Sequence, residues 1–218
     1  MIVRRLRGLE GAREATGTAV IIDVFRAFTT AAFAIAAGAR EVILVADHEQ
    51  ALALKADDPT LFLTGEIGGR PIPGFDLGNS PSRIERLDLG GRRVVQRTSS
   101  GTQGVVAAVG ADEVVLGSLV IAGATARYLR DRALVSLVAT DIARPDARED
   151  EICAAYLEAL LLGQPPPSTA VALTGDAEEW PDWFPRRDAE LACELDRFAF
   201  ALPVVREDGL LIARPVFG

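Results

Sequence analysis

The stretch from Thr18 to Gly38, TAVIIDVFRAFTTAAFAIAAG, decides the fold. Its first part, Ala19-Val20-Ile21-Ile22, is apolar and β-branched, too short to span a membrane and suited to a strand buried on both faces. The run ends on a carboxylate, Asp23, and a guanidinium follows at Arg26 after Val24 and Phe25. Two hydroxyls, Thr29 and Thr30, then open a helix of small residues that closes at Gly38. A buried strand that brings an acid, a base and a helix start to one sheet edge is a common α/β route to an anion site. A plainer reading stays open beside it, in which Asp23 caps the helix and Arg26 is its surface partner.

Around this unit strands and helices alternate. Ile2–Leu6 reads as a short edge strand and Gly8–Gly17 as a polar connection. Strands are expected at Glu41–Ala46, Thr60–Thr64, Arg93–Arg97, Asp112–Gly117 and Ala133–Ala139. Helices are expected from Asp47 to Ala56, from Thr98-Ser99-Ser100-Gly101-Thr102 through Val109, and from Leu119 to Arg130 with Ser118 as cap. A helix from Glu149 to Leu162 carries three acids in its first turn, as the macrodipole favours, and follows a polar loop at Arg144–Arg148. Ser82–Leu89 is a short helix or turn, and Asp188–Phe198 a helix. Pro203–Arg214 reads as a hairpin with Asp208-Gly209 in its turn. This order predicts a single domain over residues 1–218, a three-layer α/β/α fold with a mixed, largely parallel sheet.

Gly65–Pro81, GEIGGRPIPGFDLGNSP, breaks the pattern: five glycines and three prolines leave little room for regular structure. Its apolar anchors Ile67, Ile72, Phe75 and Leu77 argue against disorder and for a functional loop.

The chain has 218 residues, 49% of them apolar and 25% charged, as in an ordinary globular enzyme. A net charge of −8 argues against non-specific nucleic-acid binding. No secretory leader and no membrane-length apolar run is visible, so a soluble cytoplasmic protein is expected, with homo-oligomerisation left open. Cys153 and Cys193 form no CxxC pair and read as reduced core residues. The lone histidine, His48, reads as a surface or capping residue.

Three acids fall at strand ends or loops, Asp23, Glu66 and Asp76. Hard oxygen ligands of this kind suit Mg2+, which takes one or two carboxylates plus water and substrate phosphate, so one of the three could act on water instead. The hydroxyl-rich segments Thr29-Thr30 and Ser99-Ser100-Gly101-Thr102, with Arg26 and Arg97, offer donors that match phosphate or sulfonate oxygens. GxxxxGK[ST] and strand-linked GxGxxG are both absent from the sequence, which excludes the common nucleotide-binding loops.

DVFRAFTT (Asp23–Thr30), GE (Gly65-Glu66), GFDLGNSP (Gly74–Pro81), TSSGT (Thr98–Thr102) and the pair Glu149-Asp150 occur in the order found in the 2-phosphosulfolactate phosphatase family, which this chain resembles over roughly its first three-quarters. The resemblance implies Mg2+-dependent hydrolysis of the phosphate ester of a small acid, by default 2-phosphosulfolactate to sulfolactate and phosphate, as in coenzyme M synthesis. It implies Asp23, Glu66 and Asp76 as metal or water-orienting acids, and Arg26 with Thr98, Ser99, Ser100, Gly101 and Thr102 as phosphate holders. Asn79 and Ser80, with Arg97 as a further candidate, would then hold the substrate's second anionic group. The chain departs from the family pattern at Phe28 (threonine there), at Ser100 (asparagine there) and at Asp141–Arg148, which replaces a Cys-containing segment. Those departures fit the rival reading, a non-catalytic anion-binding or regulatory domain of the same fold.

Overall fold

The computed structural model describes residues 1–140, 148–171, 173 and 179–218. In chain order these form β1 (Ile2–Arg7), α1 (Gly8–Glu14), β2 (Thr18–Ile22), α2 (Ala27–Ala36), β3 (Glu41–Leu44), α3 (His48–Asp57), β4 (Phe62–Ile67), β5 (Arg70–Pro71), β6 (Leu77–Gly78) and α4 (Pro81–Ile84). There follow β7 (Arg93–Arg97), α5 (Gly101–Ala107), β8 (Glu113–Gly117), α6 (Ala122–Leu129), β9 (Leu134–Ala139), α7 (Glu149–Leu161), α8 (Arg186–Ala192), β10 (Phe200–Glu207), β11 (Leu210–Ala213) and β12 (Val216–Phe217). Most of the polar loop expected at Arg144–Arg148 lies outside the described residues.

The strands form one mixed sheet in the order β1-β9-β2-β8-β10-β11-β3-β7-β4-β5. It has two parallel blocks, the second edged by the short antiparallel β5. On one side β1, β9, β2 and β8 pair in parallel, and on the other β3, β7 and β4 do. The hairpin β10–β11 joins them, antiparallel to β8 on one flank and to β3 on the other. Asp208 and Gly209 at its tip have φ of 49° and 78°, the left-handed pair a tight two-residue turn requires. The expected hairpin is therefore the seam of the whole sheet.

Alternate residues of the buried strands face opposite helix layers. Ala19 and Ile21 pack with α1, α2 and α5; Val20 and Ile22 pack with α6 and α7. In the other half Ile43, Val95 and Leu63 face α3, while Val42, Leu44 and Val94 join the α2 layer. Burial on both faces explains why these strands read as continuous apolar runs. Phe28, fully buried in the α2 layer, contributes about 2 kcal/mol by its burial.

Three expectations are corrected. Gly8–Glu14 is helix α1, not a polar connection; its buried Gly8, Gly11 and Ala12 are small residues on which apolar periodicity is weak. Strand β4 continues through Gly65 and Glu66 to Ile67. Gly65 permits this because a Cβ there would lie 2.0 Å from the Arg97 carbonyl oxygen of β7. Helix α8 is shorter than expected, ending at Ala192, before the chain turns at Asp196 with a φ of 55°. Among the described residues no helix is long and apolar enough to cross a membrane.

Candidate active site

A cavity of about 300 Å³ opens where the carboxyl ends of β2, β4 and β7 meet, lined by Asp23, Phe25, Arg26, Glu66, Gly68, Gly69, Asn79, Ser99, Ser100, Trp183 and Phe184. Parallel strands place their carboxyl ends, and hence the residues that follow them, on one side of an α/β sheet.

Asp23 is 5% exposed. Its Oδ1 accepts the Ala27 amide hydrogen at 2.9 Å, so the carboxylate does hold the start of α2, as the plainer sequence reading has it. It also lines the cavity, so the two readings coexist. Its Oδ2 lies against the first residue of α5: a Cβ on Gly101 would come within 2.8 Å of that oxygen and 2.8 Å of the Ala27 Cβ. The adjacent Val24 amide donates to Asp150 Oδ1 at 2.7 Å, which gives the Glu149-Asp150 pair a supporting role behind the strand end.

Glu66 ties two loops together. Its Oε1 accepts the Ser99 amide at 2.5 Å, and its Oε2 accepts the Gly69 amide at 2.6 Å and the Ser99 hydroxyl at 3.0 Å. The turn after β7 therefore bridges the two halves of the sheet, through Ser99 to Glu66 and through Gly101 to Asp23.

Arg26 is 4% exposed, not a surface partner. Its Nη1 donates to Asp188 Oδ2 at 3.0 Å and to the Trp183 carbonyl at 2.7 Å, and its Nη2 donates to the Gly69 carbonyl at 3.3 Å. The Phe184 ring packs 4.1 Å from the guanidinium carbon. Burial lowers the Arg26 pKa, against the opposing pull of Asp188, Glu66 and Asp23. Asn79 is 4% exposed, accepts a 3.4 Å hydrogen bond from Gln96 Nε2, and turns to the cavity.

Several expected site residues are elsewhere. Asp76 does not line the cavity; its Oδ2 accepts hydrogen bonds from Lys55 Nζ and, at 2.8 Å, from the Leu63 amide, so it pins the glycine loop to α3 and β4. Thr29 is fully buried, its hydroxyl donating to the Val24 carbonyl at 2.8 Å and lying 2.7 Å from the Ser118 hydroxyl. Thr30 is fully buried too, and its hydroxyl has no described partner. Ser80 donates to Asp188 Oδ1 at 2.8 Å. Arg97 donates to the Ala46 and Glu66 carbonyls at 3.0 and 2.9 Å. Thr98 and Thr102 bond each other reciprocally, Thr98 N–H to Thr102 Oγ1 at 2.8 Å and Thr102 N–H to Thr98 Oγ1 at 3.1 Å. These residues shape the walls without facing the cavity. Gly101 allows the close approach of α5 to Asp23, and Ser99 and Ser100 alone of this segment line the space. Phe28 belongs to the core, so of the two single-residue departures from the family motif only Ser100 meets the cavity; the third departure, Asp141–Arg148, lies mostly outside the described residues.

Asp188, Phe25, Trp183 and Phe184 were not singled out in the sequence. Asp188 carries no signal that separates it from an ordinary acid in a helix first turn, and the aromatic pair lies in a proline-punctuated stretch without period.

Among the described residues no three His, Cys, Asp or Glu side chains gather to hold a metal. The cavity does bring two hard carboxylates, Asp23 and Glu66, to one space, and that donor set fits Mg2+ when phosphate and water complete the shell. His48 lies beside Glu49 and does not line the cavity. Both thiols are free, and burial pushes them up, Cys153 well above its ordinary value and Cys193 to about 11, so neither is a ready nucleophile.

The model of the 2-phosphosulpholactate phosphatase family matches residues 6–179. The chain belongs to that family. A "Probable 2-phosphosulfolactate phosphatase" of Bacillus subtilis (strain 168) is 33% identical over 148 residues, 66% of this chain and 64% of the relative. Proteins of the same name from Deinococcus radiodurans and Thermus thermophilus are 48% and 44% identical over 111 and 115 residues. Those matches cover 50% and 52% of this chain and 46% and 48% of the relatives, so the matched part is between about half and two thirds of each relative's length. The family match takes in the strand-end acids, Arg26, the glycine loop and the turn after β7, and ends before Trp183, Phe184 and Asp188.

Proposed function

We propose that this chain is a phosphatase that hydrolyses the phosphate ester of a small acid, with 2-phosphosulfolactate as the default substrate and Mg2+ as its cofactor. The observation that carries the reading is the convergence of Asp23, Arg26, Glu66, Asn79, Ser99 and Ser100 on one cavity of about 300 Å³. With the default substrate the reaction would serve coenzyme M synthesis, and its compartment would be the cytoplasm.

Arg26, Asn79 and the Ser100 hydroxyl are the donors for phosphoryl oxygens, while the Ser99 hydroxyl gives its one hydrogen to Glu66, and the Arg26 charge opposes the negative charge that spreads over those oxygens during transfer. Asp23 and Glu66 are the carboxylates that would hold Mg2+. The ion, when bound, would supply Lewis-acid stabilisation of the phosphoryl group. Asp23, held through Oδ1 by the Ala27 amide, is the better oriented of the two to take a proton from an attacking water. The aromatic wall of Phe25, Trp183 and Phe184 keeps water from the donors' far side.

One observation favours the non-catalytic alternative: both oxygens of Glu66 already accept hydrogen bonds from Ser99 and Gly69. The test is phosphate release by the purified protein from a panel of small phosphate monoesters, 2-phosphosulfolactate among them, with Mg2+ and with chelator. Mg2+-dependent release supports the phosphatase. Phosphate binding without release from any ester favours the anion-binding domain.

A further inference from the structure

We propose that Asp188 is the positioning residue for Arg26, so that the segment 180–188, beyond the residues the family model matches, is part of the anion site. The two side chains are 3% and 0% exposed, and they form the buried ion pair at the back of the cavity. Asp188 is itself oriented. Its Oδ1 accepts the hydroxyl of Ser80, just before α4, at 2.8 Å and the amide of Ser82, in the first turn of α4, at 3.0 Å, which leaves Oδ2 to face the arginine at 3.0 Å. A carboxylate fixed by two donors on one oxygen offers its other oxygen in one direction only.

The consequence falls on the guanidinium. Arg has five N–H donors in a rigid fork. Asp188 and the Trp183 carbonyl take the two Nη1 hydrogens, and the Gly69 carbonyl takes one on Nη2. Among the described residues, Nε–H and the second Nη2–H are the donors left for a ligand in the cavity that Arg26 lines. The Phe184 ring, 4.1 Å away, closes one face of the fork.

Asp188 also settles a competition. Asp23 and Glu66 line the same cavity and would otherwise be the arginine's nearest anions. An arginine collapsed onto them would neutralise the carboxylates needed for a cation and lose its donors to phosphate. Asp188, which does not line the cavity, holds the arginine from behind, so that acid and base present themselves separately to one ligand.

The experiment is calorimetric titration of inorganic phosphate, in the presence of Mg2+, into the full chain and its Asp188→Asn, Arg26→Met and doubly substituted variants, with thermal unfolding of each. Asp188→Asn should weaken phosphate binding about tenfold or more, because a charge-assisted pair is lost, and should add nothing to the loss already caused by Arg26→Met. A purely structural aspartate would instead give losses that add in the two backgrounds. If Asp188→Asn does not fold, Ser80→Ala removes one of the orienting hydrogen bonds and should give a smaller loss that also vanishes beside Arg26→Met. Wild-type affinity in both Asp188→Asn and Ser80→Ala, equal losses with and without Arg26, or no phosphate binding by the wild type would each overturn the proposal. The kinetic version rests on the phosphatase reading, whereas the binding version does not. Phosphate binding with the predicted coupling but no ester hydrolysis defeats only the phosphatase, and hydrolysis untouched by Asp188→Asn defeats only the positioning role.

Discussion

Glu66 Oε1 accepts the Ser99 amide hydrogen at 2.5 Å, and this bond fastens the end of β4 to the turn after β7. The same carboxylate takes the Ser99 hydroxyl and the Gly69 amide on its other oxygen. Glutamine cannot accept at both positions, because one becomes an NH2 group. Glu66→Gln should therefore lower kcat/KM by about 100-fold, the scale seen when a preorganised polar group is lost from an active site. Steady-state phosphate release measures this, and an unchanged kcat/KM would remove Glu66 from the site.

Asp76 gives the opposite expectation. Burial pushes its carboxyl pKa up, but the Lys55 ammonium and the Leu63 amide outweigh burial and hold it below the ordinary range. Its work is to fix the glycine loop. Asp76→Ala should cost about 1–3 kcal/mol in stability by leaving the Leu63 amide without its acceptor, yet keep Mg2+-dependent kcat within a few-fold. Urea unfolding and a Mg2+ titration of activity together check this; a large rise in the Mg2+ requirement would restore Asp76 to the metal set.

Gly101 is a steric test of the site. A side chain there would meet Asp23 Oδ2 and the Ala27 Cβ at 2.8 Å, both parts of the packed strand-to-helix turn. Gly101→Ala should destabilise the protein by about 1–3 kcal/mol through overpacking. It should also displace Asp23, so that kcat falls further than the stability loss explains. Activity measured well below the midpoint of thermal unfolding separates the two effects.

The seam of the sheet supplies a pH prediction. Glu41 on β3 accepts hydrogen bonds from Arg93 of β7 at 2.6 Å and from Arg214, just after β11, at 2.8 Å. Burial pushes its carboxyl up, but the hydrogen bonds from Arg214 and Arg93 prevail and hold the folded pKa below the ordinary value of 4.5. A depressed carboxyl pKa gives stability that is present above the unfolded value and is lost as pH falls through the folded one. Glu41→Gln should cost about 2 kcal/mol near neutrality. The gap from wild type should narrow below the ordinary carboxyl pKa, as read from urea midpoints across the acid range.

The readable parts of this chain were those in which local pattern and global fold agree. TAVII announces a strand buried on both faces, and Asp208-Gly209 announces the hairpin turn, because each is dictated by periodicity or backbone conformation alone. The strand-end position of Asp23 follows from the same pattern, whereas Glu66, expected in the glycine loop, lies inside β4. The hairpin's insertion between two parallel half-sheets was not legible, since it depends on pairings across most of the chain. For the same reason the pairing of Asp188 is not legible, because it lies 162 residues from the arginine it binds. Thr29, Thr98 and Thr102 close local turns with their hydroxyls, and a hydroxyl that closes a turn and one that holds a ligand look alike in sequence.

The most direct measurement is Mg2+-dependent phosphate release by Asp23→Asn beside the wild type. Asparagine keeps an oxygen for the Ala27 amide, so the fold should persist with a melting temperature within a few degrees of wild type. The account predicts that kcat/KM falls by at least about 100-fold. Near-wild-type, Mg2+-dependent turnover by the folded variant would contradict it.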